Sequence, residues 1–458
     1  MADTSVGTTI NVAQLLNRSS WSRYQKVVTA LAALAIAFDG FDLLILGIAL
    51  PSMMREWHAA RGQFGPALAM GLAGMALSGP LAGYSGDRFG RRVTMIGCIA
   101  LFGLSTIVTA FVQGVFGLTA LRLFAGIGMG GALPNVTAYV AEFAPLRRRP
   151  LAVKLTIVCV PLGGMLCSAM AIWVLPRFGW RGLYVIGGVL PLALAMLFMV
   201  VLPESPRFLA HNAAHWPQLV RLLNRIGHSI PGGAGFEDTA EREEATQASI
   251  GALFSGRLAR ETIGLWIAFF FCLGSIYLVF GWLPAMLTTR GLSTSTVSAG
   301  MLVYNVGGVL GVLIWAMLVP LLGSRGPLLS GALAAAASAL AFLIVPIQSH
   351  GSHWLVIVCL GINGLLANAV QTSMYALAAH VYPTSVRASG VAYSAAMGRL
   401  GGLLSSLFGS HIIQAGTGTY WQTLAVAMVF AAAGLAWVRS HYPAISKLDT
   451  VSTASPDW

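Results

Sequence analysis

The sequence predicts an all-α membrane protein: twelve transmembrane helices in two pseudo-symmetric six-helix bundles, with both termini cytoplasmic. Three observations lead there: an apolar composition, long apolar runs spaced as six, a gap and six more, and the placement of the cations. Of 458 residues, 57% are hydrophobic and only 9% are Lys, Arg, Asp or Glu. A soluble domain carries about 25% charged residues, so this chain cannot cover an ordinary wet surface. The 27 basic residues outnumber the 15 acidic ones, yet they fall in short clusters such as "DRFGRR" and "LRRRP" between apolar runs. That spacing fits loops facing anionic membrane lipid and gives no single patch for nucleic acid.

Runs able to cross a hydrocarbon core, at about 20 residues each, occupy 27–53, 64–86, 93–112, 115–141, 151–176 and 182–202, then 262–287, 295–321, 327–347, 352–380, 388–413 and 419–438. With both termini inside, 20 of the 27 Lys and Arg are cytoplasmic and five (Arg55, Arg61, Arg177, Arg181, Arg290) lie outside. This bias supports an even number of spans. The polar start lacks a signal peptide's basic residues and closely following apolar core, so the first run is expected to remain as a span.

The expected organisation is a cytoplasmic tail (1–26), a first bundle (27–203), a cytoplasmic linker (204–261), a second bundle (262–438) and a second tail (439–458). Pro203 and Pro206 mark a stop after the sixth run, Pro-Gly-Gly at 231–233 a turn, and "FEDTAEREEA" a short amphipathic helix. A shift of 238 residues lays "NVTAYVAEFAPLRRR" over "SMYALAAHVYPTSVR", matching Pro145 with Pro383, Glu142 with His380 and Arg149 with Arg387. Such an echo is expected of a transporter fold built from repeats. The five cysteines lie in apolar stretches without metal-ligand spacing and read as packed thiols. No metal, cofactor or catalytic residue is expected, since no nucleophile, base and orienting group stand together.

Charges inside the spans are costly and therefore informative. Asp39 and Asp42 stand three apart in "AFDGFDLLILGIALPSM", so both can face a bundle interior, where two close carboxylates oppose each other's ionisation and one can take up a proton reversibly. Alternatively one braces a helix beside Gly40 and the other pairs with a cation. Arg122, in "RLFAGIGMGGALPN", could balance the Asp pair, meet a substrate carboxylate or snorkel to the outer interface. Arg399 has no acidic residue in its own span and is the favoured anchor for an anionic substrate, with a structural ion pair as the competitor. Asn363, Asn368, Gln371 and Tyr375 of the tenth run are candidate substrate contacts or interhelical ties. Tyr277 of the seventh and Tyr304 and Asn305 of the eighth flank the same expected cavity. His380 is a weaker relay or gate candidate.

"GYSGDRFGRR" (83–92), with Asp87, Arg88, Arg91 and Arg92, resembles the loop motif of the major facilitator superfamily, which is inferred to hold helices together in one access state. The second-half counterpart "PLLGSRGP" keeps Gly323 and Arg325 but lacks the acid. More closely, "DGFDLLILGIALPSM", "RLFAGIGMGGALPN", "LPESPRFL" and "YALAAHVYPTSVRASGVAYSAAMGRLGG" resemble the aromatic acid:proton symporter family. The resemblance implies that Asp39, Asp42, Arg122 and Glu142 serve proton coupling or its conformational gate, that Arg387 and Arg399 are functional basic positions, with Arg387 equally placed to gate the inward-facing state, and that the protein is a monomer in a bacterial inner membrane. It also implies substrates such as benzoate, 4-hydroxybenzoate and protocatechuate, with no cofactor. A non-aromatic anion such as muconate, antiport and export stay open. A receptor reading lacks an output domain in the linker or tail.

Overall fold

Ser22 starts the first long helix. Its hydroxyl accepts from the Gln25 N–H (3.2 Å) while the Gln25 side chain accepts from the Ser22 N–H (2.9 Å), a reciprocal cap that satisfies two free donors. The buried Gln25 amide also donates to the Phe143 carbonyl at 2.8 Å. In the computed structural model, residues 9–231, 234–237, 250–345, 353–383 and 386–444 are described.

Their helices are α1 (Val12–Arg18), α2 (Arg23–Glu56), α3 (Gly65–Phe89), α4 (Arg91–Thr109), α5 (Val115–Phe143), α6 (Arg149–Val201), α7 (Pro206–Ala210) and α8 (Trp216–Ile226). They continue as α9 (Ile250–Leu253), α10 (Arg257–Thr289), α11 (Thr294–Leu322), α12 (Arg325–Ala341), α13 (Trp354–Val381), α14 (Arg387–Gln414) and α15 (Thr417–Trp437). Among the described residues, eight helices are long and apolar enough to cross a membrane, or nine if the bent stretch Arg61–Gly79 and Leu81–Phe89 is one span. The chain is a multi-pass membrane protein.

The shortfall against twelve expected runs has identifiable causes. The fifth and sixth runs are joined as α6, 53 residues long, which holds a non-helical Gly179 (φ 65, ψ −171). An unbroken helix of that length would reach about 80 Å, far beyond a core of about 30 Å, so Gly179 divides it into two span-length pieces. The α12 helix has only 17 residues, and α14 is diluted by small and polar residues.

Helix pairing repeats between the halves: α2 packs on α6 and α3 on α5, as α10 packs on α14 and α11 on α13. Helix α5 ends at Phe143 and α13 at Val381, while α6 begins at Arg149 and α14 at Arg387; both pairs are offset by the same shift as the sequence echo. Small residues permit the closest approaches. A Cβ at Gly40 would sit 2.0 Å from the Val160 carbonyl oxygen, so α2 and α6 touch backbone to backbone there.

The segments around the first half are more ordered than a tail and linker imply. Strands β1 (Thr9–Asn11) and β2 (Gly235–Glu237) pair in parallel, Ile10 opposite Phe236. Helix α8 buries Leu219, Leu222, Leu223 and Ile226 along one face, at the spacing of an amphipathic helix. Three-residue strands are too short to leave a periodic signal. The helix expected within "FEDTAEREEA" and most of the Pro-Gly-Gly turn fall outside the described residues, as do 1–8 and 445–458.

Candidate functional site

The two aspartates of α2 have different surroundings. Asp42 is bound by Arg122 of α5 through two parallel contacts, Nη1 to Oδ2 at 3.0 Å and Nη2 to Oδ1 at 3.1 Å. Thr106 of α4 donates its hydroxyl to Asp42 Oδ1 at 2.8 Å, and the Arg122 guanidinium lies 5.6 Å from the centre of the Tyr184 ring. Both charges are almost fully buried, 1% exposed for Asp42 and 3% for Arg122. Arg122 is therefore a structural partner of Asp42 in this arrangement rather than a snorkelling cation. Thr106 and Tyr184 were not legible as site residues, because a lone hydroxyl or phenol in an apolar run usually only packs.

Asp39 is also buried, yet among the described residues its Oδ1 has no hydrogen-bond partner. It lies within electrostatic reach of Asp42 and of Arg399, across the seam between the halves. Arg399 is half-buried and makes no ion pair or hydrogen bond among the described residues. Tyr277 and Tyr375 share its electrostatic neighbourhood. A small cavity on the seam is lined by Asp42, Leu46, Arg122, Tyr277, Phe280 and Ser406, among others. Carboxylates, a free guanidinium and aromatic rings thus converge at one level of the bundle, a donor set suited to a flat anion and a proton.

The other candidates divide. Tyr304 and Asn305 are fully buried; Asn305 donates to the Met301 carbonyl, and its Oδ1 is unpartnered among the described residues. Tyr304 stands 6.0 Å from the Phe280 ring, edge on. Asn368 donates to its own helix at Gly364. Asn363 instead ties α13 to α12, donating to the Ala335 carbonyl and Ser338 Oγ at 3.2 and 2.8 Å. Gln371 is half-buried. Among the described residues, no cluster of three or more His, Cys, Asp or Glu side chains suits a metal.

Glu142 lies away from this centre, with the loop motif. Arg91 pairs with Asp87 at 2.5 Å and with Glu142 at 3.4 Å, and reaches Asn135 at 3.4 Å. Ser205 donates to Glu142, Arg92 Nη2 donates to the Met199 carbonyl, and the Arg92 N–H donates to Glu204 at 3.0 Å. Arg88 donates to the Tyr84 hydroxyl at 3.1 Å. Glu204 sits within the motif "LPESPRFL", where the sequence alone does not mark it as a partner of Arg92. The second half lacks the corresponding acid. There the Ser324 N–H donates to the Tyr442 carbonyl at 3.0 Å, the Tyr442 hydroxyl donates to Ala376, and His380 stacks on the Tyr442 ring at 3.9 Å. Buried Glu261 accepts from the backbone N–H groups of Arg439 and Ser440. Arg387 donates to the Tyr382 carbonyl at 3.3 Å.

Comparison with known proteins decides the family. The model of the Major Facilitator Superfamily matches residues 32–365 and 265–453. The chain belongs to this superfamily. It is 33% identical over 411 residues to the gallate transporter of Pseudomonas putida, covering 89% of this chain and 90% of the relative. It is 31% identical over 411 residues to the 4-hydroxybenzoate transporter PcaK of Acinetobacter baylyi, covering 88% of each. Both of these relatives are named as transporters of aromatic acids, in keeping with the resemblance read from the motifs. Among solved structures, the inward-open xylose transporter XylE from E. coli matches with a TM-score of 0.71 at 19% identity, covering 93% of this chain and 99% of that one. That likeness establishes the fold.

Proposed function

We propose that this protein imports a small aromatic carboxylate, such as 4-hydroxybenzoate, protocatechuate, gallate or benzoate, together with protons across a bacterial inner membrane. In this reading α6 counts as two spans, giving twelve. Residues 27–203 and 262–438 form two bundles joined by the linker 204–261, and both termini are cytoplasmic. The observation that carries the reading is the seam itself: a closed Asp42–Arg122 pair beside an unpartnered Asp39 and an unpaired Arg399. A buried carboxylate without a donor is a place for a proton, and a guanidinium without a carboxylate is a place for an anionic substrate.

The contacts between halves gather at the end of the bundle away from the loop motif. A Cβ at Gly47 would lie 1.9 Å from the Phe280 carbonyl oxygen, and one at Gly65 would lie 3.1 Å from that of Leu407. In the proposed orientation that end is periplasmic, which supports an inward-facing arrangement. Substrate on Arg399 and a proton on Asp39 or Asp42 then favour the same rocking of the halves, with the Asp87–Arg91–Glu142 cluster, Arg88, Arg92, His380 and Arg387 acting at the cytoplasmic gate. One proton with a monoanion carries no net charge, and a second proton would let the membrane potential assist.

Uptake of radiolabelled 4-hydroxybenzoate into proteoliposomes, with and without an imposed pH gradient, tests the proposal. Accumulation above equilibrium only with an acidic exterior is expected. Uptake indifferent to the gradient, or driven by counter-movement of an internal anion, would reassign the protein to uniport or antiport.

A further inference from the structure

Away from the seam, the first half holds a second polar concavity where α1 turns into α2 and α5 turns into α6. Lys26, Arg147, Arg148 and Trp21 line it with Asn17 and the serines before α2. None of its lining residues is acidic, and Lys26, Arg147 and Arg148 make no ion pair among the described residues. Among the described residues the indole N–H of Trp21 is buried without an acceptor, and the Lys26 ammonium stands 6.0 Å from the centre of the Trp21 ring. Three cations and an orphan donor around one space specify an anion.

The neighbouring surface says which anion. Below the concavity, α2 exposes Val27, Ala30 and Leu34 in one stripe, and α6 exposes Leu151, Leu155 and Leu162 in another. Exposed apolar faces on span-length helices suit contact with lipid, which would put the cationic pocket where a lipid headgroup meets its acyl chains. A tryptophan and a lysine at the start of a span occupy the interfacial layer for the same reason.

We propose that this pocket seats the phosphate of an anionic phospholipid, its acyl chains lying along the exposed stripes of α2 and α6. The headgroup then bridges Lys26, on the helix that carries Asp39 and Asp42, to Arg147 and Arg148 on the turn after α5. The inference needs only the membrane-spanning fold and stands whether or not transport is proton-coupled.

Native mass spectrometry of the purified full-length protein, titrated with phosphatidylglycerol and separately with phosphatidylcholine, tests it. Each basic group near a membrane surface strengthens attraction to anionic lipid by about 5-fold, so K26Q/R147Q/R148Q should lose about 100-fold of the preference for phosphatidylglycerol. The control R221Q/R225Q, which removes charge from α8, should lose less than about 3-fold. If the triple variant does not fold, K26Q alone should lose about 5-fold, while R147K/R148K should keep the preference. Preference retained by a folded K26Q/R147Q/R148Q protein, or by K26Q alone, would overturn the site, as would equal loss in the control. Displacement of bound phosphatidylglycerol by equimolar inorganic phosphate would reassign the pocket to a soluble anion and overturn the lipid proposal.

Discussion

Replacing Asp42 by asparagine removes one charge while keeping the shape of the side chain. The substituted amide would keep one oxygen for Thr106 and for Arg122 Nη2, now at 2.8 and 3.1 Å, but would turn its N–H₂ toward Arg122 Nη1, now 3.0 Å from a carboxylate oxygen. One charge-assisted hydrogen bond is lost, about 1.5–3 kcal/mol, and the guanidinium is stranded in a buried site. Breaking such a pair from one side costs about 3–5 kcal/mol in all. Arg122→Gln strands the carboxylate instead and should cost a similar amount. The double variant leaves no stranded charge, so it should fall short of the sum of the singles by about 2 kcal/mol or more. Equilibrium unfolding of the purified protein in mixed micelles measures all three. Additivity within about 0.5 kcal/mol would refute the pairing as the reason these two residues stand there.

Three further outcomes follow from the same structure. Arg399→Ala should weaken equilibrium binding of aromatic carboxylates about 10-fold or more, the worth of a charge-assisted contact; unchanged dialysis isotherms for every aromatic acid tested would remove its anchoring role. Gly47→Leu cannot keep α2 against the Phe280 carbonyl, so a cysteine introduced by Ser406→Cys should be alkylated faster in that background; equal rates would contradict closure at this end. His441, outside the spans, is pushed below the usual imidazole range chiefly by burial, with Arg325 opposing its charge and the Leu435 carbonyl and Glu261 favouring it. Its neutral ring accepts from Ser324 and donates to Leu435. A depressed folded value means that its contribution is present above the unfolded value of about 6.5 and is lost as pH falls below it. Hydrogen-exchange protection at 439–444, taken relative to the intrinsic exchange rate at each pH, should therefore fall between pH 7 and pH 5, and His441→Gln should flatten that response.

What the sequence made legible depended on how strong a physical constraint each feature obeys. A chain crossing hydrocarbon must write long apolar runs, so the helices fall where the runs do, and the shift of 238 residues reappears in the bounds of α5, α6, α13 and α14. Buried charge is equally constrained, which drew attention to Asp39, Asp42, Arg122 and Arg399. Which of them pair is not legible in the sequence: the choice of Asp42 over Asp39 for Arg122 depends on how α2 is rotated against α4 and α5, which residue spacing does not fix. Asn363 could equally have faced the seam or α12, and only its contacts with Ala335 and Ser338 separate those faces. Glu261 looked like the edge of a polar linker, because its partners are backbone N–H groups nearly two hundred residues away. The pairing of Ile10 with Phe236 left no signal at all, since three residues a side carry no period.

Everything mechanistic rests on a first-span carboxylate exchanging a proton during the cycle. Infrared difference spectra of the reconstituted protein, recorded on adding 4-hydroxybenzoate at pH 7 with aspartate isotopically labelled, read that event directly. A labelled carboxyl band that changes on substrate addition and is abolished in Asp39→Asn/Asp42→Asn is expected. Spectra in which no aspartate band changes while transport proceeds would contradict it.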